Sequence, residues 1–381
     1  MSDNTKNEIK TSESISSRRK FLKGGALAAA GAAAAGLPMV GNTAGHENPK
    51  VLKLQGAWGG GIFKEYAVDY VRRVNEMSGG SLKIDYLDVG AVVKTSEMQT
   101  AVSKGVIDGA HLVSAYWYSK NAAASLFGTG PCWGWTSNQM LGWIHYGGGQ
   151  ELYNEMMDEI LQLDIVGFFS GPMPAQPFGW FTKEVNTVED IKGLKYRTVG
   201  LAANVMQEMG MSVVQLPGGE IQPAMERGLI DAAEFNNPTS DKDFGMQDVA
   251  KNYYLASFHQ SQESFEIIFN KTTYNALSNE HKAILKYAAE AASADMSWKA
   301  QDRYSKDLEI LKKEHGVVVR RTSDEIMAAQ LEAWDAVLPR FMEDPYFAKV
   351  VASQKAWMVR VGGFELQNAP DYQAAYDRYF G

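Results

Sequence analysis

Apolar and polar positions along the chain divide it into short strand-like and helical segments that alternate. In the first half, 51–54 reads as a strand, 63–77 as an amphipathic helix stopped by Gly79-Gly80, and 82–87 as a second strand. A helix at 96–104 and an apolar strand at 106–112 follow. The same order returns further on, with strand 194–199, helix 202–209 ended by Gly210, strand 212–216, helix 221–227 and strand 229–235. Residues 97–111 and 220–234 also repeat each other directly, sharing Glu97/Glu220, Gln99/Gln222, Ala101/Ala224, Gly105/Gly228, Ile107/Ile230, Asp108/Asp231 and Ala110/Ala233. Each copy reads as a short helix, a glycine C-cap and a strand. Strands alternating with helices predict parallel sheets, and two such modules predict two α/β lobes.

Two later segments break this rhythm. Residues 278–316 carry almost no helix breaker, with Ser278 as an N-cap, Glu280 in the first turn and Gly316 as the stop. At about 1.5 Å per residue this helix would reach roughly 55 Å, longer than one small domain is wide. Sustained a/d heptads are missing, so the segment predicts a spine across both lobes rather than a coiled coil. In 362–381, Phe364, Tyr372, Tyr376, Tyr379 and Phe380 fall at helical spacing. Such a stripe needs a cover, from this chain or a partner.

Hydrophobic residues make up 45% and charged residues 22%, the balance of a soluble globular protein. The single cysteine excludes an intramolecular disulfide, a Cys-based zinc site and an iron–sulfur cluster. The N-terminus changes the charge count. Arg18-Arg19-Lys20 precedes an Ala/Gly-rich run at 24–40 and small residues near Ala44. This pattern predicts a twin-arginine export signal over 1–44, since the run is too weakly apolar to remain as a membrane anchor. That segment carries six Lys/Arg and three Asp/Glu, so the net charge of -8 becomes -11 for the remaining chain. A protein so acidic does not suit a nucleic-acid surface.

Ligands of open parallel sheets sit outside the carboxyl ends of the strands. Arg197 lies late in strand 194–199 and Glu234 near the end of strand 229–235, so both could reach one crevice. An Arg fork suits a carboxylate, and a Glu beside it, with an amide and a carbonyl, suits Na⁺ or Ca²⁺. A surface Arg–Glu salt bridge is the plainer alternative. Gln176 lies in an irregular Pro/Gly-rich segment, Ser114 and Tyr116 follow the first repeat strand, and Trp58 precedes a glycine run without a phosphate-loop pattern. Cys132 reads as a buried apolar residue. None of the six histidines pairs with another at i+3 or i+4, which argues against a His-based catalytic metal. An exported, cofactor-containing oxidoreductase is the rival class, but no dinucleotide fingerprint or nucleophile elbow supports it.

The chain resembles the solute receptors of TRAP transporters, the DctP family, from about Val51 onward. The resemblance is carried by Val188-Glu189-Asp190-Ile191-Lys192-Gly193-Leu194-Lys195-Tyr196-Arg197 and by 216–234, which opens Leu216-Pro217-Gly218-Gly219-Glu220. Val89-Gly90-Ala91-Val92-Val93 and Tyr146-Gly147-Gly148-Gly149-Gln150 are similar to the 2-oxo-acid subgroup. The resemblance implies a two-lobed α/β periplasmic binding protein with a lobe-spanning helix and a C-terminal helix. It implies capture of a small 2-oxo or 2-hydroxy monocarboxylate and its delivery to membrane subunits. No catalysis and no organic cofactor are implied.

On this basis lobe I would cover 45–170 and be completed by 263–290, and lobe II would cover 171–262 and be completed by 300–360. Helix 278–316 would span both, and 362–381 would form a dimerisation helix. Arg197 corresponds to the family's carboxylate-binding arginine. Glu234, Gln176 and Phe235, through its carbonyl, are implied contacts of a Na⁺ or Ca²⁺ that bridges protein and ligand. Trp58, Ser114, Tyr116 and Trp180 would line the remaining wall. Phe235 stands where a Trp is common. Gln260 stands where a second acidic cation ligand is common, which should weaken cation affinity or change the ion.

Overall fold

The computed structural model describes residues 48–130 and 133–381, so the export signal and Cys132 lie outside the described residues. Two sheets organise the rest. The strands are β1 (Lys50–Gly56), β2 (Leu82–Leu87), β3 (Gly109–Leu112), β4 (Ile165–Met173), β5 (Gly179–Phe181) and β6 (Lys195–Arg197), then β7 (Ser212–Val214), β8 (Ala232–Ala233), β9 (Asn252–Leu255), β10 (Glu263–Asn270) and β11 (Val318–Arg321). One sheet runs β2-β1-β3-β10-β4 and the other β11-β9-β5-β8-β6-β7. The helices that matter below are α1 (Gly61–Met77), α2 (Met98–Ser103), α3 (Ser137–Tyr146), α4 (Gly149–Glu155), α5 (Ala202–Glu208) and α6 (Gly218–Glu226), followed by α7 (Pro238–Asp243), α8 (Asn279–Lys313), α9 (Asp324–Phe341), α10 (Pro345–Asn368) and α11 (Tyr372–Phe380).

The internal repeat survives as geometry. Gly105 and Gly228 end α2 and α6 with φ of +69° and +68°, a conformation that costs glycine nothing. Val106 N then bonds Ala101 O at 2.9 Å, and Leu229 N bonds Ala224 O at 2.9 Å. Asp108 accepts from Lys53 N at 2.8 Å, and Asp231 accepts from Lys195 N at 2.9 Å. Each aspartate thereby ties the turn to the neighbouring parallel strand. In register, Gln55 pairs with Ala110 as Arg197 pairs with Ala233.

The expectation of parallel sheets is corrected. Parallel pairing holds within β2-β1-β3 and within β8-β6-β7, the repeated modules. The longer strands β4 and β10 pair antiparallel with each other, and β10 pairs antiparallel with β3. In the second sheet β5 pairs antiparallel with both β8 and β9. The reason is the chain path. Residues 174–178 carry it from β4 to β5, and 256–262 return it from β9 to β10, so each sheet receives strands that arrive from the other. The expected strands 106–112 and 229–235 shorten to β3 and β8, because the glycine turns leave Val106 and Leu229 exposed.

The expected spine is α8. Ser278 Oγ accepts from His281 N at 3.1 Å, and 35 residues at about 1.5 Å rise give a helix of roughly 52 Å. Its buried Ala288, Ala289, Ala292 and Ala300 let it pack closely on β4 and α1 on one side and on α7 on the other. The chain beyond it departs from expectation twice. Helix α9 packs on α5 of the second sheet's lobe, but α10 packs on α3 and α4 beside the first, so 345–360 does not complete lobe II. The tail is not one helix over 362–381. Pro370 interrupts it, and Asp371 starts α11 by accepting from Ala374 N at 2.9 Å. No residue of α11 is buried.

Candidate functional site

The end of β6 delivers Arg197 into a small, partly open space between the two sheets. The space measures about 290 Å³ including its open side, but only about 20 Å³ of it is free, room for about one water molecule. Its polar lining is Arg197, Gln176, Asn236, Glu263 and Tyr116. Its apolar wall is Trp58, Phe63, Phe235 and Phe265, with Val199 closing one side. The rings interlock. Trp58 lies 5.2 Å from Phe63 and 5.0 Å from Phe265, and Phe63 meets Phe235 edge-on at 5.6 Å from the other lobe. Phe235 fits because Gly218 has no side chain; a Cβ there would lie 2.5 Å from the ring. The lobes also touch through Tyr118 Oη, which donates to Asn204 Oδ1 at 2.8 Å.

Arg197 is 2% exposed. Its Nε and Nη2 donate to Leu216 O at 2.9 and 2.7 Å, and Nη1 donates to Glu234 Oε1 at 2.8 Å and to Glu234 O at 3.3 Å. Four of the guanidinium's five N–H groups are thus used within the protein, which fixes its plane and leaves one on Nη2 for a ligand. Burying the pair is costly without further partners. Accordingly, burial pushes the Glu234 carboxyl up to about 7 against the opposing pull of the Arg197 charge. Its second oxygen, Oε2, is buried without a hydrogen-bond partner.

The crossover segments supply the opposite wall. Gln176 N donates to Gln260 O at 3.0 Å, tying the two crossings together. Gln176 Nε2 donates to Glu263 Oε2 at 2.7 Å, and Asn236 Nδ2 donates to the same oxygen. Gln176 Oε1 remains buried and unpartnered. Burial raises Glu263 to about 8, with the Glu234 charge adding to the rise and the Gln176 amide opposing it. Asn236 and Asn237 are held in turn, since Asp241 Oδ1 accepts from both backbone amides at 3.1 Å. Burial pushes the Tyr116 phenol up to about 12, with Arg197 opposing, so it stays a proton donor at neutral pH.

Glu263 is the residue that sequence reasoning missed. Its carboxyl lines the space three positions beyond Gln260, at the start of β10. Gln260 itself does not line the space, and its Nε2 reaches only Val199 O at 3.5 Å. The charge absent at Gln260 is present in the space at Glu263. A usable signal was present: β10 alternates Glu263 and Phe265 toward the cleft within a wholly buried strand, and an acid in such a strand needs a reason. Phe63 and Phe265 were missed as well. Two expected wall residues are elsewhere. Ser114 turns inward against Gly128, and its hydroxyl is buried outside the space. Trp180 lies behind the site, stacked on Tyr253 at 4.2 Å, and donates to Asp241 Oδ2 at 2.8 Å. Trp58, Tyr116, Gln176, Arg197 and Phe235 do come together, with Glu234 bonded to Arg197.

Gln176 Oε1 and Glu234 Oε2, both buried and unpartnered, and the Glu263 carboxyl are hard oxygen donors of the kind that Na⁺ and Ca²⁺ prefer. Among the described residues no cluster of three His, Cys, Asp or Glu side chains could hold a metal alone, so amide or carbonyl oxygens would have to take part. A pH dependence follows. Without a cation, carboxyls raised to about 7 and 8 retain protons near neutrality, and a cation must displace them. Cation affinity is expected to rise between about pH 6 and 9, with proton release at pH 7, read by calorimetry in buffers of different ionisation heat. The cation-free fold has the opposite slope. Its stability from these groups is full below the ordinary value of 4.5 and falls as pH rises through 7 to 8.

Comparison with known proteins identifies the family. Residues 62–344 match the model of the DctP family, described as bacterial extracellular solute-binding protein, family 7. A monocarboxylate 2-oxoacid-binding periplasmic protein of Nostoc sp. is 30% identical over 302 residues, 79% of this chain and 82% of that one. A TRAP periplasmic solute-binding protein of Pseudoalteromonas atlantica, solved with bound sodium and pyruvate, superposes with a TM-score of 0.80 at 30% identity, covering 87% of this chain and 100% of that one. A TRAP solute-binding protein of Bordetella bronchiseptica, a mixed-occupancy dimer with copurified calcium and picolinate, has a TM-score of 0.80 at 27% identity, covering 87% and 97%.

Proposed function

Because the chain belongs to the DctP family of extracellular solute-binding proteins, the receptors of TRAP transporters, we propose that it captures a small 2-oxo or 2-hydroxy monocarboxylate together with Na⁺ or Ca²⁺. The observation that carries this reading is the buried Arg197–Glu234 pair facing Gln176, Asn236 and Glu263 across a space of about 290 Å³. Arg197 holds the carboxylate with its remaining N–H and its charge. Glu234, Gln176 and Glu263 hold the cation, with the Phe235 carbonyl as a further donor. The cation offsets the repulsion that two carboxylates would otherwise exert on an anionic ligand. The aromatic wall excludes water and leaves no room for a bulky or doubly charged acid. No proton transfer is needed for capture and release.

Lobes built on the two sheets close by bending at 174–178 and 256–262, the crossings joined by the Gln176–Gln260 bond. The closed form is what the membrane subunits receive in the periplasm. The twin-arginine pathway is the proposed export route, which a reporter fused to residues 1–44 tests in cells lacking that translocase. The exposed aromatic residues of α10 and α11, including Phe364, Tyr376 and Phe380, are the proposed homodimer contact. Light scattering of a chain ending at residue 368 is expected to give a monomer.

Native mass spectrometry of the protein as purified tests the ligand. A retained acid of a few carbons with Na⁺ or Ca²⁺ is expected. A retained sugar acid, dicarboxylate or chromophore would count against the reading.

A further inference from the structure

The Arg197 site does not stand alone. A second chamber, of about 1500 Å³ including its open mouth, lies beside it in the cleft. The two spaces share Trp58, Tyr116 and Val199 as common lining. The outer chamber is largely apolar, with Ala57, Val89, Pro217 and Phe244 among its walls. Its charged lining residues are Glu220 and Asp243, and neither a lysine nor an arginine is among the described residues that line it.

Of the three shared residues, Tyr116 is the one that can act as a removable partition. Trp58 is fixed on several sides by Phe63, His111 and Phe265, with ring centroids between 5.0 and 5.5 Å. Val199 is small. Tyr116 meets Trp58 on one face at 6.1 Å, rises from the short 3-10 turn Ser114–Trp117 and lines both spaces.

We infer that Tyr116 sets the acyl chain length this receptor accepts, by walling the carboxylate site off from the outer chamber. This rests on the monocarboxylate reading above. In the intact protein the ligand's carbon chain ends against the Tyr116 ring, so each added methylene meets a filled wall. Without the ring the two spaces join, and a longer apolar chain can extend over Ala57, Val89 and Phe244. A second carboxylate at the end of that chain would find no lysine or arginine there and would meet the acidic Glu220 and Asp243, so the enlarged site would remain selective for monocarboxylates.

The test is calorimetric titration in a sodium- and calcium-containing buffer. The ligands are pyruvate, straight-chain 2-oxo acids longer by one, two and three methylenes, and 2-oxoglutarate. Wild type is expected to lose about tenfold or more in affinity once the chain outgrows the inner space. Tyr116→Ala is expected to invert that order, binding the longest monocarboxylate better than pyruvate while still rejecting 2-oxoglutarate. Tyr116→Phe, which keeps the wall and loses only the hydroxyl, should retain the wild-type order. If Tyr116→Ala weakens every acid by the same factor, or Tyr116→Phe reorders them as the alanine variant does, the partition role is wrong. If wild type binds none of these acids, it is the monocarboxylate reading that fails.

Discussion

Arg197→Ala is expected to weaken binding of a 2-oxo monocarboxylate by about 2–5 kcal/mol, roughly 30- to 5,000-fold. The size follows from burial. At 2% exposure the guanidinium acts where water does not screen it, and its plane is fixed by Leu216 O and Glu234 before a ligand arrives. Removing it leaves the ligand carboxylate without its cationic partner and Glu234 without its own. The second loss acts on the fold too, since an uncompensated buried carboxylate is destabilising, so the variant should melt below wild type. Arg197→Lys separates the two effects. A lysine keeps the charge but not the planar fork, so it should largely restore the melting temperature and restore binding only in part. Wild-type affinity in the alanine variant would remove Arg197 from the ligand.

Glu263→Gln carries the second large effect, directed at the cation. The glutamine side chain can still accept from Gln176 and Asn236, so the packing survives while one negative charge is lost. Cation affinity is expected to fall by about a hundredfold or more, because charge count governs binding of hard cations to oxygen sites. The cation-free variant should melt no lower than wild type, because a costly buried ionisable group has been replaced by a neutral one. Its cation affinity should also lose the part of its pH dependence that lies near pH 8. Gln260→Glu, by contrast, places a charge outside the site and should not strengthen cation binding. A titration in which Glu263→Gln binds calcium as wild type does would show that the carboxylate near Gln176 is not a ligand.

Much of the architecture was legible in the chain because it was written twice. The glycine at 105 and 228 and the aspartate at 108 and 231 do the same work in both lobes, ending a helix and bracing the next strand. Arg197 and Glu234 could be placed together because parallel strands in a repeat share a register, and Tyr196 and Arg197 do pair with Ala232 and Ala233. What failed were segments without periodicity. The crossing at 256–262 has neither a helical nor a strand repeat, so nothing in it fixes where the next acidic side chain faces or distinguishes Gln260 from Glu263. The direction of strand pairing was lost for a related reason. Local alternation says that a strand exists, but not that β10 arrives from the other lobe and runs antiparallel to β4. Ser114 and Tyr116 show the limit at single-residue scale. A 3-10 turn after β3 sends one side chain into the core and the other into the cleft, a choice made by Gly128 and Trp58. Trp180 was misplaced because its partner, Asp241, is sixty-one residues away and visible only in space.

The central claim is that acid and cation bind together between the lobes. Its most direct test is a calorimetric titration of pyruvate into protein stripped of small ligands, first with sodium and calcium present and then in a choline buffer with a chelator. Saturable binding of one acid per chain with the cations, weakened at least about tenfold without them, is the predicted result. Absence of binding to any 2-oxo monocarboxylate in the cation buffer, or equal affinity in both buffers, would contradict it.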